Sequence, residues 1–290
     1  MIDKSKLAVF AAAGTGIQVG AALVASRYAV EHIGPAGLAM YRYIIGVFCL
    51  APIVWMIGWT RFDRRDVVPI ALLGIGQFGI LVALLNLGLK YVPAGRAALI
   101  FATFPFMTLI IGRVLGREEL SGNKVVGVLA TILGVAVVLG PAVYNKSFGT
   151  SEWLGVLAIL GSAFSGALCS VLYGPYVRKY PALQVSFFAM LAAAVFLILV
   201  AIPEGVLAQT PALKVNAWLA ILFIGLSSAI GYYLWLWALA NSTATKVTVF
   251  LSLSPITAAI LALIFLNEPL NASLLVAVAL VSFGLWLVNR

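Results

Sequence analysis

An all-α membrane bundle of ten transmembrane helices is what this sequence predicts, and its hydropathy, the length of its apolar runs and an internal repeat each lead there. Apolar residues make up 63% of the 290, charged residues only 9%, and the mean hydropathy is +1.13. A water-soluble domain carries about 25% charged and about 45–50% apolar residues, so the apolar surplus has to face lipid. One helical crossing takes roughly 20 apolar residues. The runs, punctuated by Gly, Pro and charge, fall at 7–29, 36–59, 67–89, 93–115, 123–141, 152–174, 181–203, 214–240, 245–266 and 270–288. Ten of them leave no length for a soluble catalytic or receptor domain. Membrane β-strands are about ten residues of alternating polarity, and these runs are too long and too uniformly apolar for that.

The first run follows Met-Ile-Asp-Lys-Ser-Lys, a charged start like that of a signal peptide. It is too long for a signal peptide's apolar core and reads as the first membrane helix. The net charge is +9, yet the basic residues do not form a patch; they sit where apolar runs end, which marks topology rather than nucleic acid. With the N-terminus inside, Lys4, Lys6, Arg61, Arg64, Arg65, Arg113, Arg117, Lys124, Arg178, Lys179, Lys246 and Arg290 are cytoplasmic. Arg27, Lys90, Arg96, Lys146 and Lys214 fall opposite. That bias places both termini in the cytoplasm.

The repeat carries the most information. A shift of 150 residues superposes 72–138 on 222–288 without a gap, pairing Pro105 with Pro255, Glu118 with Glu268 and Gly134 with Gly284. Leu and Val pairs at the same shift weigh little, because such residues coincide by chance in any two membrane helices. A slightly shorter shift places Pro35-Ala36 on Pro181-Ala182. Each half, 1–145 and 146–290, therefore holds five helices. An odd number reverses direction, so the second half enters the membrane upside down relative to the first. Inverted repeats of this kind are a mark of secondary transporters.

Every Asp and Glu lies at a helix end or in a loop. Buried membrane charge marks ion and proton paths, so a proton-coupled mechanism lacks its usual carboxylate. The lone histidine, His32, sits in a loop, which leaves neither a metal cluster nor a nucleophile–histidine device. The chain has no nucleotide-binding loop either, and no cofactor or metal is expected. The mid-membrane regions offer neutral polar and aromatic groups instead: Gln18, Gln77, Phe101, Thr103, Ser252 and Ser254, with Ser228, Tyr232 and Trp235 on one helical face. An aromatic body with a polar tip suits a small amphipathic substrate. Each has a plainer use. Gln18 serves equally to bond a neighbouring helix, Trp and Tyr belong to interfacial belts, and the glycines at 14, 16, 20, 74, 76 and 79 suit close packing. Pro105 and Pro255 free backbone carbonyls and are either gate hinges or fixed bends. Arg42 is expected to snorkel to headgroups or pair with Glu31.

Gly-Pro-Ala-Gly-Leu-Ala-Met-Tyr-Arg42, the Glu118 helix end and Asn267-Glu268-Pro269, set in two five-helix halves, resemble the EamA-type branch of the drug/metabolite transporter superfamily. Within it the chain is similar to the YddG-type aromatic amino-acid exporters. The resemblance implies a bacterial inner-membrane protein with a central cavity lined by the first, third, fourth, sixth, eighth and ninth helices. The expected function is alternating-access movement of amino acids, aromatic or otherwise apolar, or similar metabolites. It would work as a monomer, through an uncharged aromatic-and-amide cavity. A drug or lipophilic-cation exporter and a non-transporting scaffold are the alternatives. The first wants a buried acid; the second has no use for symmetric prolines and a polar lining.

Overall fold

The computed structural model describes residues 4–117, 121–144, 149–268 and 272–288. Asp3, Glu118, Glu119, Lys146, Pro269 and Arg290 lie outside the described residues, as do the side chains of Lys4, Lys6 and Ser252. No strand occurs among the described residues. Helices α1 (Lys4–Ala29), α2 (Pro35–Ile57), α3 (Arg64–Tyr91), α4 (Ala94–Val114) and α5 (Gly122–Tyr144) come first. They are followed by α6 (Thr150–Lys179), α7 (Ala182–Ala201), α8 (Val215–Asn241), α9 and α10 (Ala272–Val288). α9 is built from Ala244–Val249, a 3₁₀ turn over Phe250–Ser252 and Leu253–Leu266. Eight helices are long and apolar enough to cross a membrane, while α5 and α10 have shorter apolar stretches, Gly122–Gly134 and Ala272–Gly284. Phe48, Trp55, Met56 and Val114 are exposed on the outer surface, where lipid rather than water is their natural contact.

The helix ends follow elementary rules. Pro35 opens α2, where its missing N–H costs nothing. The Glu204 carboxylate accepts from the Ala36 (2.8 Å) and Gly37 (3.2 Å) N–H groups at the same end. Glu268 does the same for α4, accepting from Ala94 (3.2 Å) and Gly95 (3.5 Å). An anion at a helix N-terminus satisfies orphan donors and meets the positive end of the dipole. Asn267 sets up that placement with a left-handed φ of +53°.

The three irregular helices are broken where the chain is special. α3 widens into a π-turn over Ile75–Ile80. α4 is interrupted at Ala102 and Thr103, just before Pro105, and α9 tightens over Phe250–Ser252, just before Pro255. Proline lacks the donor for the preceding turn and clashes with its carbonyl, so the helix cannot run through regularly.

Helices from opposite halves pack in pairs: α1 along α8, α3 along α6, α2 along α7 and α5 along α10. α1 also lies against α9, α6 against α4, α8 against α2 and α3 against α7. Small residues permit this. A Cβ added to Gly16 would sit 2.0 Å from the Phe250 carbonyl oxygen of α9, and one on Gly74 would sit 2.5 Å from that of Ala189 in α7. Lipid supplies no hydrophobic drive between helices, so such backbone approach is what holds them together. Side-chain ties at the two ends add to it. Lys179 pairs with Asp63 and Asp66, Tyr180 donates to Asp66 (2.6 Å), and Gln184 donates to the Gly58 carbonyl (2.7 Å). At the other end Gln209 accepts from the Gly34 N–H (2.9 Å), and the Tyr41 and Thr210 hydroxyls bond at 2.8 Å.

Gly14 faces open space, with nothing within 4 Å of an added Cβ. Gly16→Ala should therefore lower stability by about 1–3 kcal/mol through overpacking. Gly14→Ala should be neutral or mildly stabilising, since alanine is the better helix former by about 1 kcal/mol. Thermal unfolding of the two purified variants in detergent compares them directly.

Candidate functional site: a buried arginine in an aromatic cavity

A cavity of about 40 Å³ lies among α1, α2, α3, α4, α8 and α9. Its walls are mostly apolar, with Val19, Leu23, Leu81, Leu85, Phe101 and Phe104 among them. That volume holds roughly three water molecules, far below the roughly 300–1,000 Å³ of ligand pockets.

One wall is charged. Arg42 is 4% exposed, donates from Nε to the Ser228 hydroxyl (2.7 Å), and lies 5.5 Å from the Tyr232 ring centroid. It neither snorkels nor reaches Glu31, which pairs with Arg27 one turn earlier on α1 (2.8 Å). The expected uncharged lining is thus corrected. The reason is the register of α2: Pro35, Ala39, Arg42, Gly46, Leu50 and Val54 recur every three or four residues, and all are buried. Arg42 belongs to the stripe that α2 turns inward. The spacing is present in the sequence, but α2 is apolar almost throughout, so which face turns inward is set by the helices it packs against.

Among the described residues no carboxylate pairs with Arg42. Removing a cation from water costs several kcal/mol unless it is compensated. One hydroxyl and one ring face, the two partners seen among the described residues, compensate in part. Trp235 Nε1 and the Ser26 hydroxyl, both on residues of the cavity wall, are buried without a partner among the described residues. The cavity holds hydrogen-bonding capacity that the protein itself does not use.

Aromatic packing fixes the remaining groups. Tyr43 donates to the Tyr232 hydroxyl (2.9 Å), and Phe78 packs on both rings, at 5.6 Å from Tyr43 and 4.7 Å from Tyr232. Trp235 meets Phe104 edge-on at 6.1 Å. The π-turn of α3 presents Gln77 to the cavity and leaves the Gly76 carbonyl accepting from Ser165 (2.9 Å). Such π-turns are frequent at functional sites.

The chain matches the model of the EamA-like transporter family twice, over residues 6–140 and 153–290. It belongs to that family. It is 31% identical over 290 residues to the probable terminal-alkyne amino-acid exporter of Streptantibioticus cattleyicolor, covering 99% of this chain and 95% of that one. It is 26% identical to an uncharacterized transporter of Archaeoglobus fulgidus over 93% of this chain and 94% of the other. A crystal structure at 20% identity superposes with a TM-score of 0.72 over 98% of this chain and 96% of its own, a likeness of fold.

In this EamA-like transporter Gln77, Phe101, Tyr232 and Trp235 line the cavity. Ser228 stands behind it and orients Arg42. Gln18 bridges α1 to α8, donating to the Ser227 hydroxyl (3.2 Å), with its own Oε1 buried and without a partner among the described residues. The Thr103 hydroxyl turns back to the Ile100 carbonyl (2.8 Å) at the break in α4, close to Pro105. Ser254 and Pro255 are buried near the approach of α9 to Gly20, and the side chain of Ser252 is outside the described residues. Besides Arg42, sequence reasoning did not single out Thr15, Ser26 and Phe104, because isolated Thr, Ser and Phe in membrane helices carry no distinguishing pattern.

Tyr43→Phe strands a buried acceptor and should cost about 0.5–1.5 kcal/mol. The double change Tyr43→Phe/Tyr232→Phe removes both partners and should cost less than the two single changes together. A double-mutant cycle on thermal stability in detergent reads that coupling.

Proposed function

We propose that this protein moves amino acids with apolar or aromatic side chains across the bacterial inner membrane by alternating access, as a facilitator or exporter. The observation that carries it is Arg42, a buried cation without a carboxylate partner among the described residues, in a cavity with aromatic and aliphatic walls. A substrate carboxylate would complete the guanidinium's hydrogen bonds, and charge-assisted bonds of that kind are the strong ones. The apolar walls would take the side chain, while Gln77 and the Tyr232 ring line the same cavity and would face the ammonium. A cationic drug would meet like charge at Arg42, which disfavours the multidrug alternative. The relative named as a terminal-alkyne amino-acid exporter supports the substrate class.

The ten helices would all cross the membrane, as two inverted five-helix halves, 1–145 and 146–290, with both termini cytoplasmic and the chain working as a monomer. The pattern of helix contacts supports the inversion. Exchanging each helix with the one five places on turns the α1–α8 contact into α6–α3, α1–α9 into α6–α4 and α8–α2 into α3–α7, while α2–α7 and α5–α10 map onto themselves. The breaks at Ala102 in α4 and Ser252 in α9 coincide under the 150-residue shift. So do Gln77 and Ser227, each half of an amide–hydroxyl pair, Gln77 with Ser170 and Ser227 with Gln18. Pro105 and Pro255 would then be equivalent hinges.

Counterflow in proteoliposomes with radiolabelled phenylalanine, tyrosine and leucine tests this function. Arg42→Gln should lower transport roughly ten- to a hundredfold, the equivalent of about 1.5–3 kcal/mol for a hydrogen bond to a charged group. Arg42→Lys should retain part of it, Tyr232→Ala should reduce it, and phenylalaninamide, which lacks the carboxylate, should not be carried by wild type. Transport left intact by Arg42→Gln would sink the proposal.

A further inference from the structure

A second, wider cavity of about 460 Å³ opens where α4, α6 and α8 end, lined by Arg117, Ser170, Gly174, Arg178, Ser242 and Thr243 among others. Among its described lining residues the charge is one-sided. Arg178 has no ion-pair partner among the described residues, and Arg117 donates a single hydrogen bond to the Val171 carbonyl. No carboxylate is among its described lining residues. The neighbouring Lys179 is different, because Asp63 and Asp66 neutralise it. A concave, low-dielectric mouth lined by one sign of charge concentrates the opposite ion.

This mouth and the central cavity share a wall. Ser170 lines the mouth and donates to Gln77 Oε1 (3.4 Å), and Gln77 lines the cavity that holds Arg42. The link between the two linings is one weak amide–hydroxyl pair, set in the π-turn of α3 and facing α6. Opening it exchanges that bond for bonds to an entering polar solute, a smaller cost than unpacking an apolar seal.

We propose that the basic mouth is a capture site for the carboxylate group of the solute. Arg178, assisted by Arg117, gathers the solute, and the Gln77–Ser170 pair is the gate through which it passes to Arg42. This deepens the amino-acid transport proposed above and rests on it for the identity of the solute. In the proposed orientation the mouth is cytoplasmic, the side from which an exporter loads.

A substrate-independent probe tests the capture site. In a Cys49→Ala/Cys169→Ala background, Ser242→Cys places a thiol on the lining. Its rates with anionic 2-sulfonatoethyl methanethiosulfonate and cationic 2-(trimethylammonio)ethyl methanethiosulfonate are measured in detergent and normalised to those of 2-mercaptoethanol. The normalised anion-to-cation ratio should exceed one, by about tenfold at low salt, and collapse at high salt. Arg178→Gln should bring it close to one, and Arg178→Lys should keep it high. A ratio near or below one in the parent, or one untouched by Arg178→Gln, overturns the capture site. So does failure of both Ser242→Cys and a second probe, Thr243→Cys, to react with either reagent. Because no transport is measured, the outcome is separate from that of the Arg42 experiment: anion preference here with transport intact in Arg42→Gln would leave the mouth standing and remove the central site.

Discussion

A guanidinium buried in a bundle that lipid surrounds must be answered by something, and in this protein it is answered only in part. Arg42 has one hydroxyl, Ser228, and one ring face, Tyr232, and both belong to α8. The charge thereby ties α2 to α8, and the Tyr43–Tyr232 hydrogen bond ties them again one residue along. Everything else around the cavity can be seen as support for that arrangement. Phe78 and Trp235 hold the aromatic wall, and the π-turn of α3 sets Gln77 beside it. In the proposed function the unmet bonds that remain would be what a solute answers, because full internal pairing would leave nothing for a ligand to offer.

Alternating access, as proposed, would need a bundle tight enough to exclude leakage and divided finely enough to rearrange. Tightness comes from backbone contact at Gly16 and Gly74. Division comes from the breaks in α4 and α9, where proline stops the hydrogen-bond ladder, and from amide–hydroxyl pairs in place of apolar packing between α1 and α8 and between α3 and α6. Each such pair is worth about 0.5–1.5 kcal/mol net, a size that thermal motion breaks readily. Acidic groups are kept to helix ends, where Glu204 and Glu268 cap α2 and α4.

Most of the fold was legible from the residues because hydropathy is additive along a chain. Apolar runs predicted at 36–59 and 214–240 appear as Pro35–Ile57 and Val215–Asn241. α6 runs beyond its predicted end to Lys179, through Pro175, because polar residues late in a helix that reaches the surface carry no apolar signal. Of the candidate site, Gln77, Phe101, Tyr232 and Trp235 were found as polar or aromatic side chains at mid-membrane depth, whereas Gln18 turned to Ser227 and Thr103 to its own backbone. Composition cannot tell these outcomes apart, since a membrane amide bonds whichever partner is nearer.

The sequence by itself determined that this chain is a multi-helix membrane protein, that its two halves repeat, and that its carboxylates stay at helix ends. Those follow from solvent and spacing, which need only local information. Only the tertiary structure decided that Arg42 faces inward onto Ser228 and Tyr232, that a cavity forms there, and that a Ser170–Gln77 hydrogen bond joins its lining to that of a basic mouth. The physical reason is rotation. A helix one residue into the membrane or ten has the same hydropathy whichever way it is turned about its axis, and the face it presents is chosen by the neighbours it packs against.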